Sequence, residues 1–208
     1  MFGLHGDGIS TEYDPGRGGE GMLRLYLPQI QITTANLKDA DIIYAGDKIP
    51  VNDKSFDIVV SLATIEHLPR NNRTSFLSEL YRVAKKGFML CASFRAPEHL
   101  AYEKGILNSG ILNGTSFAYL SEYVEFGLPL PEEVSEMAKI YSAKLFYQGD
   151  FREIRPSGNK NTHYDLLIQT LNNTLTDAFW QDCKHLKSSF TQYTNRFFLT
   201  ANKANYAY

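Results

Sequence analysis

Glu66 and His67 stand in a polar turn between an apolar run, Phe56-Asp57-Ile58-Val59-Val60-Ser61-Leu62, and Pro69. An imidazole titrates near neutral pH, so His67 is suited to take a proton from a hydroxyl or amine nucleophile. The competing assignment is a histidine that caps or packs the turn. A second acid, Asp47, follows Gly46 and precedes Lys48 and Ile49-Pro50-Val51, a setting equally typical of a turn-forming aspartate. Nearer the N-terminus, Asp14-Pro15-Gly16-Arg17-Gly18-Gly19-Glu20-Gly21 contains G-x-G-x-x-G at 16–21. Glycines between a strand and a helix let a nucleoside lie against the backbone. The same residues would also suit a glycine-rich surface loop. The histidines other than His67 show no ligand spacing, and no metal is expected.

These residues need elements to hold them. Residues 30–35 (IQITTA) and 41–45 (DIIYA) read as short strands rich in β-branched residues. Residues 56–62 are apolar on both faces after Asp57, as in a parallel strand covered on two sides. A helix is predicted over about 72–86, opened by Asn72 as its cap. Phe76, Leu77, Leu80, Val83 and Ala84 fall on one side of it, and Gly87 after two lysines is the expected stop. Residues 87–94 (GFMLCASF) supply a further buried strand. Residues 95–130 lack a period and hold scattered aromatics, a length of irregular chain more often functional than idle. Pro131 opens a helix with Glu132 and Glu133 in its first turn, where acids favour the helix dipole. A kinked strand over 144–154, a helix over 161–179 and a last strand over 196–203 complete an α/β pattern.

Bulk properties narrow the function classes. The 208 residues suit one domain with a full core. A net charge of −2 gives no basic footprint for nucleic acid. No apolar run is long enough to span a bilayer. The opening MFGLHGDGIS lacks the basic and apolar parts of a secretory signal. Cys91 and Cys183 read as free thiols in a reducing compartment, so a cytoplasmic protein is expected.

The order of Gly46-Asp47, Ser55-Phe56-Asp57, the apolar strand, Glu66-His67-Leu68-Pro69, the helix and the following strand resembles the central half of a class I S-adenosylmethionine (SAM) dependent methyltransferase of the type 11 small-molecule group. The resemblance covers about residues 13–145 and is looser beyond. It implies a Rossmann-like, doubly wound, seven-stranded sheet, mostly parallel with an antiparallel last strand, in a single domain with a cap or substrate insertion at about 95–130. It implies SAM as cofactor and methyl transfer to an oxygen or nitrogen of a small metabolite, such as a sugar or lipid precursor. Under it, Asp14, Gly16 and Gly18 cradle the methionine and ribose parts of SAM after a first strand at Ser10–Tyr13. Asn36 stands where an acid usually grips the ribose hydroxyls. Asp47, with Lys48 beside it, accepts a hydrogen bond from the adenine amino group. Backbone groups of Ser61, Leu62 and Ala63 face the methionine part, and His67 is the catalytic base. Some quinone-type relatives bind a metal through an acid at the position of Ala63, which again argues for none here. Residues 119–129 resemble a stretch that joins the substrate cap in some envelope-associated members, making Tyr119, Glu122, Tyr123 and Glu125 candidate substrate contacts together with Glu66, Arg95 and His99. The expected partner is a small-molecule acceptor, and a homodimer is compatible with the resemblance.

Two other readings stay open at this point. A non-catalytic protein of the same fold, acting as a binding or scaffold partner, would explain the polar Ser10–Tyr13 strand and the neutral Asn36. A nicotinamide-dependent oxidoreductase would also use G-x-G-x-x-G, but it needs an acid at Asn36 and leaves Glu66-His67 without a purpose.

Overall fold

The computed structural model describes residues 2–5, 30–36, 40–44, 48–99, 122, 123, 125–148, 187–192, 194 and 196–203. Among them, strands β1 (Phe2–His5), β2 (Thr33–Asn36), β3 (Ile42–Ile43), β4 (Phe56–Leu62), β5 (Ala84–Ser93), β6 (Lys144–Gln148) and β7 (Arg196–Asn202) form one sheet. Their order is β3-β2-β1-β4-β5-β7-β6. Strands β1 to β5 run parallel, and β7 is antiparallel to both β5 and β6. The arrangement is Rossmann-like α/β.

Strand β4 alternates its side chains between two cores. Val59 joins one with Phe76, Leu77, Leu80, Phe88, Leu90 and Phe197, while Ile58 and Val60 join the other with Met89, Cys91 and Phe198. This explains the apolar Ile58-Val59-Val60 run: both faces are covered there, so each is filled by an apolar side chain. Helix α1 (Arg70–Val83) turns Phe76, Leu77, Leu80 and Val83 into the first core. Full burial of such side chains is worth about 1.5–3 kcal/mol each. Helix α2 (Pro131–Ile140) begins with proline at its first turn and carries Glu132 and Glu133 there, as the sequence predicts.

Three expectations change. The strand flanked by β2 and β4 is Phe2–His5, so the central first strand is not the polar Ser10–Tyr13. Helix α1 starts at Arg70 behind Pro69, and Asn72 makes no capping bond with its side chain. The helix ends at Val83, with Gly87 inside β5 rather than at a helix stop. There the register slips: Phe56 faces Ala84 but Ile58 faces Gly87, an extra residue on β5. Gly87 carries φ +149° at this bulge, where a side chain would be strained. The strand expected over 144–154 is found at Lys144–Gln148, and residues 149–154 lie outside the described residues. The helix expected over 161–179 lies outside the described residues.

The link between β2 and β3 is short. Parallel neighbours usually need a crossover of a dozen or more residues, yet residues 37–41 suffice because β3 has only two residues. Asp41 fastens the return: its Oδ2 accepts from Thr34 N and Oγ1 at 2.9 and 3.0 Å.

Candidate functional site

The parallel strands end on one edge of the sheet at His5, Asn36, Leu62 and Ser93. The chain winds one way from β1 to β2 and the other way from β4 to β5, so the switch point lies between β1 and β4, where open α/β sheets bind ligands. In sequence, Gly6-Asp7-Gly8 follows β1 directly. The reading of the sequence missed this pair of glycines. The signal was Phe2-Gly3-Leu4-His5, a short β-compatible run immediately before Gly-x-Gly. Asp14, Gly16, Gly18, Asp47 and Tyr119 lie outside the described residues. Asn36 closes β2, its backbone carbonyl accepting from Tyr44 N at 2.9 Å, and Lys48 is exposed.

The exit from β4 is built tightly. Ser61 is fully buried at the end of the strand, and its Oγ has no hydrogen-bond partner among the described residues. Ala63 has φ +48°, a left-handed conformation that costs an L-residue about 1–2 kcal/mol. Its N–H donates to Cys91 O at 2.8 Å, which fixes the turn against β5. Such outliers concentrate where a ligand must approach the backbone. A short 3-10 turn, Ile65–His67, follows. It buries Glu66 completely, with Oε1 accepting from Ser93 N at 2.9 Å and Oε2 unpartnered among the described residues.

His67 meets a residue far away in sequence. Its Nδ1 lies 2.5 Å from Glu122 Oε2, in a pair where His67 is 14% exposed and Glu122 41%. A carboxylate only accepts, so Nδ1 carries a proton in this contact, and in the neutral ring Nε2 is then the acceptor. The Tyr123 ring stands 5.4 Å from the His67 ring, and its hydroxyl lies 3.2 Å from Ser93 Oγ. Glu122 and Tyr123 therefore gather with Glu66 and His67. His99 is buried as well: its Nδ1 lies 2.6 Å from Phe94 O, and burial holds its imidazole below the ordinary histidine range. Arg95 is half-buried beyond the end of β5, and Glu125 is exposed.

Behind the segment that follows Asp47 stands a clamp that sequence reasoning did not foresee. Arg82 Nη2 donates to Ile49 O and Nη1 to Val51 O, each at 2.8 Å. Nη1 also reaches Asp53 at 2.8 Å, and Nε and Nη2 hold both oxygens of Glu79 at 2.8 and 2.7 Å. Glu79 Oε2 in turn accepts from Ile49 N at 2.9 Å. The Arg82 guanidinium keeps the carboxyls of Glu79 and Asp53 below the usual carboxylate range.

Among the described residues no group of three or more His, Cys, Asp or Glu is placed to hold a metal ion, and no helix is long and apolar enough to cross a membrane. Cys91 is a buried free cysteine whose thiol is pushed up to about 11 by burial; Cys183 lies outside the described residues.

Residues 20–92 match the family model described as a methyltransferase domain. A comparison with curated proteins returns no match. Among solved structures, the chain is similar to a SAM-dependent methyltransferase from Archaeoglobus fulgidus, at 15% identity over 97% of this chain and 86% of that one, with a TM-score of 0.46. It is also similar to phosphoethanolamine N-methyltransferase 2 from Haemonchus contortus, at 16% identity over 97% of this chain, with a TM-score of 0.49. The chain spans 48% of that protein's length. A third likeness is to geranyl diphosphate C-methyltransferase from Streptomyces coelicolor, at 9% identity over 97% and 70% of the two chains, with a TM-score of 0.47. The family match encloses residues 41–90, and the resemblance of that segment to type 11 class I methyltransferases holds.

Proposed function

We propose that the protein transfers a methyl group from SAM to an oxygen or nitrogen of a small metabolite. The observation that supports this is the His67–Glu122 pair, which orients the ring so that Nε2 of the neutral imidazole is available as a proton acceptor beside the carboxyl ends of β4 and β5. The methyltransferase match over 20–92 and the sheet order, read here as the full seven-stranded class I topology, support the same reading.

The residues present suit the cofactor. Ser61 Oγ and Glu66 Oε2 are buried polar atoms without partners among the described residues, and Ala63 bends the backbone at the exit from β4. Orphaned groups of this kind are costly unless a ligand engages them. With β1 at Phe2–His5, we assign the glycine cradle to Gly6-Asp7-Gly8 in place of Asp14, Gly16 and Gly18. Asn36 would meet the ribose hydroxyls as a neutral partner, and Asp47 with Lys48 would hold the adenine end. When bound, SAM supplies an electrophilic methyl on a sulfonium and leaves as the neutral thioether.

The chain's own part is to position and to take a proton. Held by Glu122, His67 presents Nε2 to the acceptor's O–H or N–H and receives that proton as the new bond to carbon forms. Glu122 stabilises the resulting imidazolium. Tyr123, from a cap at about 95–130, closes the wall beside the ring together with Ser93 at the end of β5. Placement of the reactants supplies much of the rate in such in-line displacements, and the base adds to it.

The rival, a non-catalytic protein of this fold, loses its argument from a polar first strand, since β1 is Phe2–His5. Asn36 remains in its favour. Calorimetric titration with SAM and S-adenosylhomocysteine separates the two. Micromolar binding is expected, and Asp47→Ala should weaken it several-fold. A folded protein that ignores both ligands up to millimolar concentration would refute the proposal.

A further inference from the structure

Arg73 is a fully buried cation near the start of α1. Burying a charge is costly, and even a paired one adds little to stability, because desolvation consumes most of the attraction. The best-attested use of such a group is to fix the register of two pieces of chain. The contacts of Arg73 have that form. Nε donates to Leu68 O at 3.1 Å, and Nη2 donates to Gly127 O. Nη1 faces Glu133 Oε1 at 3.5 Å. One planar group thus joins its own neighbourhood to chain 54 and 60 residues further on. The compact charge of a lysine could not serve all three directions together.

The two carbonyls belong to the pieces that carry His67 and Glu122. Leu68 directly follows His67, and its N–H closes the 3-10 turn on Ile65 O at 3.2 Å. Gly127 lies five residues after Glu122. It has φ +71°, a conformation open to glycine, and its carbonyl is the one that Arg73 takes. The chain just beyond is held at further points. Arg95 N donates to Pro129 O at 2.9 Å, and Leu128 is fully buried. Glu133 serves two neighbours: Oε2 accepts from Leu130 N at 2.9 Å, and Oε1 faces Arg73.

The His67–Glu122 contact needs such support. Glu122 is 41% exposed, so its own burial does not fix it. An acid so placed loses much of an ion pair to water and to its own rotamer freedom. Contact at 2.5 Å requires the two pieces of backbone to stand at a set distance. We infer that Arg73 is the positioning residue for His67: its guanidinium fixes the turn that carries His67 against the segment that carries Glu122, and so keeps Nδ1 protonated toward the acid. The consequence for methyl transfer rests on the proposed function; the setting of the ring does not.

The test is NMR of the full chain labelled with nitrogen-15 histidine, at a pH where the imidazole is neutral. His67→Ala identifies the His67 signals, and Glu122→Ala gives the unpaired ring. In Arg73→Lys the Nδ1 proton of His67 is expected to exchange with water about tenfold faster or more, the loss of one charge-assisted hydrogen bond. Arg73→Lys/Glu122→Ala should be no faster than Glu122→Ala alone, because the arginine acts through that contact. Arg73→Gln/Glu133→Gln, which leaves neither charge stranded, is a second route to a folded protein. A His67 proton as slow as wild type in either folded variant, or effects of Arg73 and Glu122 that multiply, would overturn the assignment. So would loss of cooperative urea unfolding in both, which would make Arg73 a structural residue only. S-adenosylhomocysteine is titrated in parallel. A wild type that ignores it, while its His67 proton still depends on Arg73, would sink the methyl-transfer reading and leave the positioning role standing.

Discussion

Replacing Arg82 with methionine removes every bond that the arginine makes in the clamp behind residues 49–53 while keeping a long apolar stem. Glu79, only 14% exposed on its side chain, would be left with Ile49 N alone. Stranding one member of a buried ion pair costs about 3–5 kcal/mol. Arg82 itself is 20% exposed, so water recovers part of this. The unmatched carbonyls of Ile49 and Val51 add about 0.5–1.5 kcal/mol each. Asp53 is exposed and contributes little. A net loss of about 3 kcal/mol follows, which for a domain of this size is a fall of about 6–12 °C in Tm. Urea unfolding of wild type, Arg82→Met, Glu79→Gln and the double variant gives the free energies directly. Because the penalty comes from an unpaired carboxylate, the double variant should be more stable than Arg82→Met alone. A loss under about 1 kcal/mol, or a double variant no better than the single, would refute this account. If the clamp also presets the adenine end of the site, Arg82→Met should weaken S-adenosylhomocysteine in the surviving folded fraction.

The His67–Glu122 pair predicts a split between rate and affinity. His67→Ala should lower turnover about 10²–10⁴-fold and Glu122→Gln by less, both with unchanged S-adenosylhomocysteine binding; equal turnover by Glu122→Gln would remove its orienting role. Acid stability should fall in two stages. His99, held by burial below its ordinary range, resists the proton that the unfolded chain takes up, so its contribution is complete above about pH 6.5 and is lost as pH falls through its folded value. Glu79, lowered by Arg82, adds a second loss below the ordinary carboxylate range. Urea unfolding between pH 7 and 5 should flatten in His99→Gln, and an unchanged slope would assign that stage to other groups.

Local pattern made some elements legible and left others hidden. Strand 56–62 could be read to the residue, because burial on both faces writes the apolar run Ile58-Val59-Val60 at its centre. The apolar face of α1 was equally plain, but its start was not: Pro69 and Arg70 give no capping signal, and Asn72 drew the boundary inward. Gly87 after two lysines has the sequence of a helix stop, and only the register against β4 shows it as a bulge. The first strand was lost to a stronger-looking motif further on, since G-x-G-x-x-G at 16–21 drew attention from the shorter Gly6-Asp7-Gly8. Pairings across long stretches of chain left no local trace. Glu122 reaches His67 across 55 residues and Arg73 reaches Gly127 across 54. A buried arginine reads in sequence like any solvated one.

The place of β7 has a consequence for how the molecule comes into being. It inserts between β5 and β6, pairing Gly87–Ser93 on one side and Lys144–Gln148 on the other. Strands β5 and β6 therefore leave the ribosome well before the strand that must separate them. During that interval the Phe88–Cys91 run offers an unpaired, apolar backbone edge, the kind that recruits other chains. Synthesis through Asn202 is what ends the exposure. A nascent chain paused or truncated before Arg196 should depend on chaperones or aggregate, even with the whole His67 neighbourhood already translated.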